Sequence, residues 1–90
     1  MVKLRTVVQD KTVSQDIEDA VKSYRMVDEA IQSIEWTLSH DPQRGIHRAG
    51  RFWVYLQSGF KLYRIPEVVV LYSFTDDEVT LHAIVFRPAS

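Results

Sequence analysis

The sequence predicts an α+β domain: an N-terminal strand, a helical hairpin or one long helix, then an antiparallel sheet of three to four strands. Three observations predict it. Apolar residues recur at steps of three and four from Ile17 to Leu38, the period of an amphipathic helix. After Pro42 the pattern changes to short runs rich in Val, Ile, Tyr and Phe, separated by turn residues. Strands in series after helices point to a sheet covered by helices on one face. Ninety residues, 46% of them apolar and 26% charged, make one globular domain over 1–90 with a modest core.

Taken in order, "VKLRTVV" at 2–8 is rich in β-branched residues and reads as the first strand, with Val2, Leu4 and Thr6 on one side. Thr12 or Ser14 can cap the helical run, and Asp16, Glu18 and Asp19 then fall in its first turns, where the helix dipole favours acids. Its stripe is Ile17, Ala20, Val21, Tyr24, Val27, Ile31, Ile34 and Leu38, and a bend near Ser23 to Met26 gives the hairpin that suits a small domain. Trp36 lies off that stripe. "SHDPQRG" ends the run, because a proline disfavours helix at the preceding residue and Gly45 supplies a turn. "RFWVYLQ" and "FKLYRI" read as strands flanking the turn "SG", "VVVLYSF" as the next, and "EVTLHAIVF" as the last after an acidic tip at Asp76 and Asp77. On the last strand, strict alternation puts Val79, Leu81, Ala83 and Val85 on the helix side and Thr80, His82, Ile84 and Phe86 on the open side.

Composition excludes several function classes. There is no cysteine, so no disulfide framework and no thiolate metal site. His40, His47 and His82 lack metal-ligand spacing, so no metal and no cofactor is expected. The start "MVKLRTVVQDK" has no apolar signal-peptide core and no window approaches a membrane span, so the expectation is a cytoplasmic protein without a membrane partner. The net charge of −1 conceals a polarity: residues 12–41 carry seven acids and two bases, whereas 42–65 carry five bases (Arg44, Arg48, Arg51, Lys61, Arg64) and no acid. A basic segment of this kind steers an anionic partner. Trp53 has large area and few rotors, as an anchor for a partner does.

These residues carry a resemblance that spans nearly the whole chain. Leu38, Asp41, Pro42 and Gly45 in "L-x-x-D-P-x-x-G", Leu62 and Arg64 in a Leu-x-Arg strand, Val70 and Tyr72 in "V-x-Y", and Arg87 closing the last strand resemble the RelE/ParE superfamily of toxins from toxin-antitoxin systems. The resemblance implies a small α+β toxin neutralised by a cognate antitoxin protein, with Arg64 and Tyr72 in structural roles. It also implies that messenger-cleaving members use a cation cluster on the sheet, of which only Arg87 matches here. Phe60, Leu62 and Val69 stand where cations are expected, and no Tyr follows Arg87.

Three functions follow, in order. The first is a toxin-like module without the usual messenger-cleaving residues, binding its antitoxin through Arg44, Arg48, Arg51, Trp53, Ile84 and Phe86. The second is a ribonuclease using Arg87 and His82, on the ribosome or on free RNA. The third is a small homodimeric or oligomeric structural domain. An isoelectric point near 6.3 counts against nucleic acid as the main partner.

Overall fold

A computed structural model describes residues 4–90. The chain runs β1 (Thr6–Gln9), α1 (Lys11–Val21), α2 (Val27–His40), a 3-10 turn at Pro42–Arg44, β2 (Ile46–Ala49), β3 (Phe52–Gln57), a second 3-10 turn at Lys61–Tyr63, β4 (Glu67–Phe74) and β5 (Glu78–Arg87). The α+β class and the two helices match the sequence expectation. The sheet differs from it, having five strands in the order β1-β5-β4-β3-β2. It is also mixed, because β1 pairs in parallel with β5 while the other pairs are antiparallel.

The helices form where the apolar stripe is, but their limits follow local chemistry. α1 starts at Lys11 behind Asp10, whose side chain makes no capping bond, so Thr12 and Ser14 lie inside the helix rather than at its cap. Its first turn therefore contains no acid. The break spans Lys22 to Met26, where Met26 takes the left-handed conformation (φ 57°) and the chain reverses into α2. Both helices lie on one face of the sheet. Val13 and Ala20 of α1 and Val27, Ala30, Ile31, Ile34 and Leu38 of α2 form the core with Val68, Val70, Tyr72, Val79, Leu81 and Ile84. Trp36 is exposed and stacks on His40, with centroids 4.0 Å apart. Val2 of the expected first strand lies outside the described residues, and Leu4 is exposed.

Two strand assignments are corrected. "FKLYRI" is a pinched loop: Phe60 and Ile65 exchange backbone hydrogen bonds at 2.9 and 3.1 Å around the 3-10 turn, and Arg64 leaves it with φ 60°. A Cβ on Gly59 would lie 2.4 Å from the Ile65 carbonyl oxygen, so the closure depends on glycine. The hairpin partner of β3 is instead β2, "IHRA", reached through Gly50 with φ 54°.

Two motifs of the resemblance meet at one point. The Tyr72 hydroxyl donates to the Pro42 carbonyl at 2.6 Å and accepts from the Gly45 N–H at 3.2 Å. The "D-P-x-x-G" turn is thus bonded to the "V-x-Y" strand. Tyr72 is fully buried, and burial pushes its phenol up to about 12 against the opposing pull of the Gly45 N–H.

Candidate protein-binding face

The helices cover one side of the sheet and leave the other open. Side chains paired across strands share a face. From the register, Val54 and Leu71, Leu56 and Val69, Val69 and Val85, Leu71 and Ala83, and Ile46 and Val54 stand together on the side away from the helices. This surface is apolar across four strands. Ile46 is 64% exposed, Leu56 53% and Val85 52%. At one end Arg87 and Glu67 pair with each other at 2.7 Å, and at the other Ser73, Thr80, Glu78 and His82 make the same side polar. A sheet face that packs on nothing is ordinarily polar.

The alternation that sets this face is not uniform along β5. Leu71 pairs with Ala83 and Tyr72 with Leu81, so His82 is the extra residue of a β-bulge. Beyond it the faces exchange. Ile84 is 5% exposed in the core and Phe86 packs against it, whereas Ala83 and Val85 are exposed. The expectation that Ile84 and Phe86 lie on the open face is therefore overturned, and Val85 takes that place. Trp53 is also on the helix side, opposite Tyr72 and in ring contact with Phe74 and His47. Of the six expected partner-binding residues, Ile84 is buried, Trp53 and Phe86 are half-buried, and the three arginines are exposed.

Those arginines border the β2 edge. Arg44 ends the first 3-10 turn, Arg48 is the extra residue of a second bulge between His47 and Ala49, and Arg51 lies in the β2–β3 turn over the Phe52 ring. None of the three has a carboxylate within ion-pair distance among the described residues. All four residues of β2 are exposed, and its outer edge offers unpaired backbone groups. The basic segment is split in space, since Lys61 and Arg64 sit beyond the other end of β3, roughly 20 Å away along six strand residues.

The two expected catalytic residues are not brought together. His82 and Arg87 lie five residues apart on one strand, roughly 16 Å. Arg87 is neutralised by Glu67. His82 has other partners: Nε2 lies 2.7 Å from Ser73 Oγ, Nδ1 3.5 Å from Asp10 Oδ2, and the ring meets Phe52 edge-on. The nearby carboxylate favours the Nδ1–H tautomer, leaving Nε2 to accept from Ser73. This Asp-His-Ser series has the connectivity of a nucleophile relay. Ser73, however, is only 9% exposed within the strand ladder, which leaves a substrate no line of approach. Its contacts fasten the bulge to the start of α1. Sequence reasoning missed Asp10 and Ser73, which are brought to His82 by strand pairing alone.

Arg64 differs from its expected place in a strand. It caps the second 3-10 turn, and its Nη2 donates to the Ser23 carbonyl at 3.2 Å. Among the described residues, no helix is long and apolar enough to cross a membrane. Compared with protein-family models, curated proteins and solved structures, the chain gives no match.

Proposed function

We propose that this chain is a toxin-like module of the RelE/ParE kind whose open sheet face is covered by a protein partner, an antitoxin that neutralises it. The observation that carries the binding reading is the apolar face built by Ile46, Val54, Leu56, Val69, Leu71 and Val85, beside three arginines with no carboxylate in ion-pair distance among the described residues. Charge and apolarity together call for an acidic, amphipathic segment. It lays apolar side chains on the sheet and acids toward Arg44, Arg48 and Arg51. What supports the family half of the reading is the sequence pattern from Leu38 to Arg87, whose turn and strand motifs are bonded through Tyr72.

The messenger-cleaving alternative has little support. Arg87 is occupied by Glu67, and His82 lies far from it beside an almost buried serine. A phosphoryl transition state needs cations and a proton donor around one phosphate. A homodimer would use the same apolar face without the arginines.

The test is induction of the chain in a bacterial host, alone and with the small reading frame next to its own. The expected result is growth arrest alone, relief on co-expression, and a complex that Leu56→Lys with Val85→Lys disrupts while the chain stays folded. Normal growth of the host, or a complex indifferent to both substitutions, would remove the proposal. A dimer of the chain alone that the same pair of substitutions dissolves would favour the structural-domain reading.

A further inference from the structure

A second region carries its own chemistry, away from the open sheet face. The break between α1 and α2 and the 3-10 turn at Lys61–Tyr63 border a half-open cavity of about 240 Å³, lined among others by Ser23, Tyr24, Lys61, Arg64, Ile65 and Pro88. Both non-glycine residues of positive φ among the described residues belong to these two turns: Met26 at 57° and Arg64 at 60°. The Arg25 N–H donates to the Arg64 carbonyl at 3.1 Å, which fastens one turn to the other. A left-handed non-glycine residue is strained, and such strain collects where a site has to be shaped. Here it brings the Arg64 side chain back to the Ser23 carbonyl, where one N–H is used at 3.2 Å. A guanidinium has five N–H donors.

The charge of the cavity is equally one-sided. Neither Lys61 nor Arg64 has a carboxylate within ion-pair distance among the described residues, and Glu67, the next acid along the chain, is held by Arg87 at 2.7 Å. The rest of the lining is mainly apolar, with the Tyr24 ring, Ile65 and Pro88. Size limits the occupant. A dry cavity of about 150 Å³ holds benzene. The volume here suits one ring or a short acyl chain together with an acidic head.

We propose that this cavity binds a small organic anion, a single ring or short acyl chain bearing one carboxylate or phosphate. Arg64 takes the acidic group through its planar fork, Lys61 adds a point charge, and Tyr24, Ile65 and Pro88 hold the apolar body. The site is independent of the partner-binding reading, since it uses neither the open face nor the β2 edge.

The experiment is an amide NMR titration of the full chain with benzoate, phenyl phosphate and neutral benzyl alcohol. The expected result is saturable shifts at Ser23, Tyr24 and residues 61–65 for one or both anions. Benzyl alcohol should bind about tenfold or more weakly, the usual scale of a charge-assisted contact. Two variants locate the site. Lys61→Gln changes an exposed side chain and should weaken the anions several-fold. Arg64→Gly keeps a residue at ease with positive φ, preserves the dispersed spectrum and should lower anion affinity by about tenfold or more. Equal binding of benzyl alcohol, no saturable shift at these residues, or unchanged affinity in a folded Arg64→Gly protein would overturn the proposal.

Discussion

The Tyr72 hydroxyl joins the turn after α2 to the centre of the sheet, and Gly45 makes room for it. A Cβ at position 45 would stand 2.4 Å from the Tyr72 oxygen and 2.5 Å from the Val54 carbonyl oxygen, and the latter, being backbone, cannot step aside. Gly45→Ala should therefore cost about 2 to 3 kcal/mol by denaturant titration, through displacement of the turn and loss of the hydrogen bonds. Tyr72→Phe strands the Pro42 carbonyl and the Gly45 N–H and should cost about 1 to 3 kcal/mol. The two losses should be less than additive, since they break one contact. The phenol also makes a pH signature. Its folded value, about 12, lies above the ordinary 10.0, so the unfolded chain releases that proton first. Its contribution is fully present below pH 10.0 and is lost as pH rises through about 12. Denaturation across that window should show a steeper loss for the natural chain than for Tyr72→Phe, and parallel curves would contradict it.

At the scale of the element, the decisive feature is the bulge at His82. It exchanges the faces of β5 midway, so Ile84 enters the core and Val85 emerges on the open face. Adjacent substitutions should then behave oppositely. Ile84→Glu buries a carboxylate without a partner and should cost more than about 3 kcal/mol or abolish folding, whereas Val85→Glu should stay within about 1 kcal/mol of the natural chain. The reverse order in thermal melts would mean that the strand alternates without a bulge. The helical break gives a second element-scale expectation. Met26 holds φ 57° at an exposed turn, so Met26→Gly should relieve strain and stabilise by up to about 1 kcal/mol, less the extra freedom of glycine in the unfolded chain.

Over the whole molecule, charge is sorted by layer. The helices carry six of the twelve acids, while the β2 edge and the loop before β4 carry cations with no carboxylate in ion-pair distance among the described residues. An acidic partner approaching the β2 edge is attracted before contact. Arg48→Glu with Arg51→Glu should therefore slow association with the partner proposed above about tenfold at low salt and flatten the salt dependence, with less effect on dissociation. Stopped-flow mixing reads this, and an unchanged salt slope would take the β2 edge out of the interface. The separation of His82 from Arg87 gives a further expectation: purified chain added to translating ribosomes should leave no codon-dependent cuts by primer extension. Cuts that vanish in both His82→Ala and Arg87→Ala would restore the ribonuclease reading.

The sequence alone determined what depends on local periodicity and turn chemistry. These are the α+β class, the helical stripe from Ile17 to Leu38, strands within "RFWVYLQ", "VVVLYSF" and "EVTLHAIVF" and the acidic tip between the last two, because burial of one face imposes periods of 3.6 and 2. Whether the stripe made one long helix or two was left to the tertiary structure. The sequence also made the basic segment visible, since charge is counted without coordinates. Tertiary structure decided the rest. Whether "IHRA" or "FKLYRI" would pair with β3 depended on Gly50 and on the Phe60–Ile65 closure, and short apolar runs do not encode which neighbour they will meet. The open face was not legible: nothing in "RFWVYLQ" says whether its Trp53 side or its Val54 and Leu56 side meets the helices, and on β5 a bulge inserts one residue without a marker in the sequence and inverts every later assignment on the strand. The cavity at Arg64 was the least legible. Its walls come from a helical break, a loop and the segment after β5, distant along the chain and adjacent only because the sheet and helices bring their ends together.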